Sequence, residues 1–196
     1  IILADGDFPS HPLALEWLRQ CPYVVCCDGA ANTYIRSGRM PEAIVGDGDS
    51  LLPDIKERYA SLIHSEAEQE TNDLSKAFRF CLSQERKRIT IMGATGKRED
   101  HTIGNVSLLA DYMEQGEVRM MTDYGIFVPI REDSMFESYI GQQISVFNMN
   151  STALSAEGLA YPLSVFTNWW QGTLNEALAR HFIIRTEGKV LVFRVF

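Results

Sequence analysis

The stretch Ile44–Leu51, IVGDGDSL, sets two carboxylates one residue apart, Asp47 and Asp49, on a glycine turn that follows an aliphatic run. At about 6 Å and an effective dielectric of about 20, such a pair repels by roughly 3 kcal/mol, enough to raise one pKa by about two units. A cation would relieve the repulsion. Further acids stand at comparable places: Asp28 ends YVVCCDGAAN, and Asp73, in TNDLSKAF, enters a helical pattern with Ser75 and Lys76 on its first turns. Ligands of open α/β sheets collect at the carboxyl ends of the strands, so Asp28, Asp47, Asp49 and Asp73 are candidates for one metal cleft. Oxygen donors without a His/Cys ligand cluster favour Mg²⁺ over zinc. Each aspartate taken singly also fits the commoner duty of a turn or N-cap residue.

A second constellation is IMGATGKREDHTIGN, Ile91–Asn105. Strand, glycine loop and helix in that order aim backbone N–H groups at an anion, and Lys97 and Arg98 add positive charge. It is not a Walker A loop, because Gly96-Lys97 runs into Arg98 rather than Ser or Thr. Asp100 and His101 either cap the following helix or, in the case of His101, orient a phosphate. Farther on, WWQGTLNEAL places Trp169 and Trp170 beside a turn. Aromatic faces bind flat or cationic rings, though two adjacent residues on a strand would point to opposite faces and pack as core.

These residues need a frame. IILA, YVVCC, EAIV, SLIH, RITIM and VRMM are strand-like runs, most of them separated by helical patterns, which is an α/β layout. PLALEWLRQC puts Leu13, Trp17 and Cys21 on one helical face, and NDLSKAFRFCLSQE does the same with Leu74, Phe78, Cys81 and Leu82. After Met121 the runs IFVPI, QQISVFNM, TALSAEGL, LSVFTNW, RHFIIRT and KVLVFRVF predict strands only, with TEGK as a hairpin turn through Glu187 and Gly188. The expected architecture is a Rossmann-like α/β domain with a mostly parallel sheet over residues 1–121, then an all-β sandwich over 122–196.

At 196 residues and 45% hydrophobic content the chain can bury a substantial core, and its net charge of −8 argues against a nucleic-acid groove or an anionic membrane surface. Cys21, Cys26, Cys27 and Cys81 show no metal spacing and read as buried reduced thiols. With no apolar stretch of about 18 residues and no basic signal-peptide head within the opening IILADGDFP, a cytoplasmic protein is expected.

Taken in order, DGAAN (Asp28–Asn32), GDGDS (Gly46–Ser50), TNDLSKA (Thr71–Ala77), GATGKREDHTIGN (Gly93–Asn105) and TLNEAL (Thr173–Leu178) resemble the thiamine pyrophosphokinase family. The resemblance implies transfer of a pyrophosphoryl group from ATP to the hydroxyl of thiamine, with Mg²⁺, an α/β catalytic domain, a β-sandwich and a homodimer. By matching position it puts Asp28, Asp47, Asp49 and Asp73 around Mg²⁺ and the phosphates. Asn32, Lys76, Arg98, Asp100 and His101 fall on the ATP or hydroxyl side, and Thr173 and Asn175 face the pyrimidine. The family's Ser-Asn pair stands here as Leu174-Asn175. Its last-strand tryptophan has no counterpart in KVLVFRVF, which leaves Trp169, Trp170 and Phe193 as candidates for stacking on thiamine.

The implied chemistry is in-line attack on the β-phosphorus, with positioning and charge neutralisation dominant and the proton passing to one of the aspartates, Asp100 included. Two other readings compete. Asp-x-Asp also marks Mg²⁺-dependent phosphohydrolases, in which the first Asp is a nucleophile, and a non-catalytic nucleotide or vitamin sensor would bind without turnover. Asp47→Asn is expected to abolish AMP release while leaving the circular dichroism spectrum intact. Near-normal release would remove the Asp-Gly-Asp turn from the chemistry.

Overall fold

The computed structural model describes residues 1–66 and 70–196. They fall into two compact units, Ile1–Ser107 with Gln115–Asp123, and Leu108–Glu114 with Tyr124–Phe196.

In the first unit all six strand-like runs form strands: β1 (Ile2–Leu3), β2 (Val25–Cys27), β3 (Ala43–Gly46), β4 (Ile63–Ser65), β5 (Arg88–Met92) and β6 (Glu117–Met121). Their order is β6-β5-β1-β2-β3-β4, and every neighbouring pair is parallel. Parallel strands are covered on both faces, so they read as continuous apolar runs: Val25, Cys26, Ala43, Ile44 and Val45 are all buried. The helices are α1 (Pro12–Gln20), α2 (Ala30–Arg36), α3 (Pro53–Arg58), α4 (Asp73–Ser83) and α5 (Glu99–Ser107). Helix α4 buries Leu74, Phe78 and Cys81, the face its spacing predicts.

Helix α1 does not bury its predicted face. It buries Ala14 and Leu18, an i, i+4 pair, while Leu13 is exposed and Cys21 is the C-cap beyond the last turn. Trp17 is left at the rim, where the Arg119 guanidinium lies 4.4 Å from its ring centroid. All four cysteines are free, and three are buried. Burial pushes the Cys81 thiol up to about 11 and raises Cys26 and Cys27 as well, so these three stay protonated and unreactive.

The second unit holds the short helix α6 (Leu109–Tyr112) and β7 (Gly125–Ile130), β8 (Ser134–Glu137), β9 (Gln143–Asn148), β10 (Leu154–Glu157), β11 (Asn175–Glu176), β12 (His181–Thr186) and β13 (Val190–Val195). The antiparallel run β11-β9-β13-β7 and the sheet β10-β12-β8 supply one core, the sandwich expected. Alternation of period two is clear: Ile144 and Val146, Phe182 and Ile184, and Val190 and Val192 all point into it.

Two predicted features fail here. LSVFTNW forms no strand, because the backbone N–H groups of Thr167 and Asn168 bond to the Gln171 side chain instead of a ladder, and the chain then enters a 3₁₀ turn at Trp169–Gly172. TEGK is not a hairpin. β12 pairs with β8 and β10, whereas β13 pairs with β7 and β9, so the turn carries the chain from one sheet to the other. Glu187 bonds Thr152 and Ala153, and Lys189 N–H donates to Asn150 Oδ1 at 2.6 Å. Strands β8 and β11, too short to show a pattern, were not anticipated. Among the described residues no helix is long and apolar enough to cross a membrane.

Phe182 is fully buried and stacks on Phe136 at 5.1 Å between centroids. Phe182→Ala is expected to cost about 3–5 kcal/mol, read as a lowered urea midpoint.

Candidate active site

The strand order reverses at β1, which has β2 on one side and β5 on the other. At such a switch point the loops leaving the two central strands diverge and open a crevice. Here those loops are Ala4–Phe8 and Gly93–Arg98. Gly6 fits between them only because it has no side chain: a Cβ there would lie 2.3 Å from the Thr95 carbonyl oxygen and 2.4 Å from that of Gly93. A cavity of about 510 Å³ opens at this place. Asp5, Asp28 and Asp73 line it, as do Lys97, Arg98 and His101, with Ser50, Asn72 and Asn105 completing the polar wall.

Asp28 is the deepest of the acids, 4% exposed, with a backbone φ of 29° that few residues other than glycine adopt. Its Oδ2 accepts the Ser50 N–H at 3.0 Å, while its Oδ1 has no hydrogen-bond partner among the described residues. Burial is the main cause that raises its pKa. The Ser50 bond opposes the rise, and Asp73 and Asp47 add to it. Gly46 lets the two acids approach, since a Cβ there would come 2.8 Å from Asp28 Cβ and 3.3 Å from Asp73 Cγ. Asp73 opens α4 behind the true N-cap, Asn72, whose Oδ1 accepts the Ser75 N–H. The commoner duty of a capping residue therefore fails at Asp28 and Asp73. The duty of a turn residue holds at Asp47, whose Oδ1 accepts the Asp49 N–H at 3.0 Å.

The four aspartates do not stand as one ready-made cage. Asp47 and Asp49 are exposed and do not line the cavity, and the described residues hold no group of three His, Cys, Asp or Glu able to share an ion. Two of the like charges have partners: Asp47 an amide, Asp73 the Lys76 ammonium at 3.2 Å. Asp28 keeps an unpartnered buried oxygen, and with Asp73 it forms an oxygen-only pair. That donor set fits Mg²⁺, which takes one or two carboxylates and fills its other positions with water and phosphate.

Several residues expected at the ligand are bonded within the chain. Asn32 is off the cavity: its amide nitrogen donates to the Ser50 carbonyl at 2.8 Å and its oxygen accepts the Leu52 N–H at 3.0 Å, which fixes the end of the Asp-Gly-Asp loop. Lys76 is buried beneath Asp73 rather than facing a nucleotide. Asp100 is exposed and bonded twice by Arg98, at 3.0 and 2.5 Å; that pairing holds its carboxyl down at about 2. Asp5 was missed. It lies two residues beyond β1, close behind a strand end as Asp28 and Asp47 are, and only the strand order shows why it matters.

In the second unit Trp169 is 43% exposed and meets Phe147 edge-on at 6.1 Å, within a group that includes Phe127 and Phe193. Both tryptophans sit on the 3₁₀ turn and not on a strand. Thr173 donates its hydroxyl to the Trp170 carbonyl. Asn175 is buried, and its amide is occupied by the Tyr161 backbone, as donor to the carbonyl at 2.8 Å and acceptor from the N–H at 3.0 Å.

Acids and cations lining one switch-point cleft, in an α/β unit followed by a β-sandwich, define a class of phosphate-handling two-domain proteins. The chain belongs to the thiamin pyrophosphokinase family: the model of the family's catalytic domain matches residues 14–121 and that of its substrate-binding domain residues 125–193. It is 30% identical over 129 residues to thiamine pyrophosphokinase 1 of Oryza sativa subsp. japonica, covering 53% of this chain and 49% of that one. It is 26% identical over 151 residues to the Bacillus subtilis thiamine pyrophosphokinase, covering 70% and 68%. The chain spans about half the length of the curated plant relatives it matches. The crystal structure of a Bacillus subtilis thiamine pyrophosphokinase superposes with a TM-score of 0.83 over 99% of this chain and 97% of that one, at 22% identity. That of the Candida albicans protein gives 0.80 over 100% and 88%, at 19%. At these identities the likeness is one of fold.

A carboxyl whose pKa is raised on folding binds its proton more tightly in the folded state, so ionising it at neutral pH destabilises the fold, and the penalty fades as pH falls toward the unfolded value. Asp28→Asn is therefore expected to raise the melting temperature at pH 7, with the gain vanishing toward about pH 4. Thermal unfolding across that range checks it.

Proposed function

We propose that the chain transfers the pyrophosphoryl group of ATP to the hydroxyl of thiamine, giving thiamine diphosphate and AMP. One observation carries this reading: Asp28 and Asp73 line the same cavity of about 510 Å³ as Lys97, Arg98 and His101. A wall of one sign would suit a cation or an anion alone, whereas both together suit a metal-bound polyphosphate. Membership of the family supports thiamine as the acceptor.

Asp28 and Asp73 would hold Mg²⁺, with Asp47 adding negative potential from the adjoining loop; the ion would supply neutralisation of phosphate charge. The chain's own groups orient the polyphosphate. The N–H groups that open α5, the Arg98 guanidinium and His101 would meet its negative charge. The attacking hydroxyl must give up a proton, and Asp100, tied to Arg98, is a poor acceptor for it. That task falls to a carboxylate of the cleft itself. Trp169 offers the thiamine rings a partly exposed aromatic face.

A homodimer is part of the proposal, supported by large apolar side chains left exposed on the second unit, among them Ile140, Trp170 and Leu174. A cytoplasmic setting is supported by the free cysteines.

With ATP, Mg²⁺ and thiamine, chromatography is expected to show AMP that appears only when thiamine is present and stops when EDTA is added. Asp73→Asn should slow its formation by at least about a hundredfold. ADP, free phosphate, or AMP independent of thiamine would overturn the assignment.

A further inference from the structure

Lys97 adopts a conformation that its side chain disfavours. Its φ is 55°, in the left-handed region where glycine sits without cost and a residue with a Cβ is strained. Strain of this kind persists where surrounding structure enforces it, and it gathers at ligand-holding positions. The position faces the cleft. Lys97 lines the main cavity and also a side cavity of about 150 Å³, and Asp5 borders both.

Its ammonium donates to Asp5 Oδ1 at 3.0 Å, with the two side chains 54% and 47% exposed. An exposed pair of this sort contributes little to stability. The neighbouring cations are held more firmly: Arg98 makes two bonds to Asp100, and Lys76 is buried against Asp73. Lys97 is thus the cation of the cleft that gives up its partner most readily. A polyphosphate carrying several charges outcompetes one solvated carboxylate for an ammonium on the shared wall.

We propose that Lys97 is a polyphosphate-holding residue, strained into the cleft, whose ammonium leaves Asp5 for the phosphates when ATP binds. This role rests on the reading of the cavity as an ATP site and deepens it, since it gives the chain a phosphate contact beyond the helix N-terminus and Arg98. It also predicts opposite signs for affinity and stability. Replacing the lysine with glycine removes the charge and the strain together, so binding should weaken while the fold is unchanged or firmer.

ATP binding measured by titration calorimetry at fixed Mg²⁺, beside thermal unfolding, decides the matter. Lys97→Gly is expected to raise Kd about tenfold and to leave the melting temperature unchanged or higher by a few degrees, roughly. Lys97→Arg, which keeps the charge, should stay within about threefold of the parent protein. The proposal is overturned if Kd does not change in Lys97→Gly, if stability falls together with affinity, or if the parent protein does not bind ATP. The proposed reaction is read separately, from thiamine-dependent AMP. A protein that binds ATP through Lys97 yet makes no AMP refutes the reaction and leaves the lysine's role standing.

Discussion

The site depends on one unresolved electrostatic demand. Asp28 is buried at the end of a central strand, one carboxylate oxygen held by the Ser50 amide and the other unpartnered among the described residues, with Asp73 close by. A polar atom in that state is costly unless something arrives to meet it. The parallel sheet keeps it there: β2 is hydrogen-bonded to β1 on one side and β3 on the other, so the strand tip cannot retreat into solvent.

Around that point the structure spends its hydrogen bonds on loops rather than on ligand contacts. Asn32 ties Ser50 and Leu52, Lys56 donates to the Gly48 carbonyl at 2.9 Å, and Asp47 closes the turn through the Asp49 amide. Asn105 donates to the Ala94 carbonyl at 2.8 Å and accepts from Asn72 at 3.3 Å, which links the helix after the glycine loop to the start of α4. The loops bearing charge are thus pinned through side-chain amides. A charged group nearer the opening, Lys97, keeps a single exposed partner that an anion can displace.

The second unit follows a different rule. Its core is apolar and alternating, and its polar ties are at the edges: Asn175 grips the Tyr161 backbone, and Gln171 takes the N–H groups that a strand would have paired. Gly172 permits this arrangement, because a Cβ there would meet the Val146 carbonyl oxygen at 1.8 Å. The consequence is a turn that presents Trp169 and Trp170 outward instead of adding a strand.

Much of this was legible in the sequence. A run such as YVVCC is apolar throughout, and a run such as QISV alternates; burial on two faces or on one accounts for the difference, so fold class and most strands follow from residue order alone. Two acids of the cleft were legible too, Asp28 at the end of a strand-like run and Asp73 at the start of a helical one. Strand order could not be counted. That β5 sits beside β1, making Asp5 and Lys97 neighbours across 92 positions, is a result of tertiary pairing. Whether an amide such as Asn32 or Asn175 faces a ligand or a backbone also depends on which distant loop comes within about 3 Å, and TEGK looks like a hairpin until β12 and β13 are placed in separate sheets. Local pattern determined what kind of element each segment forms. Only packing decided which side chains remained available once the backbone's own hydrogen bonds had been satisfied.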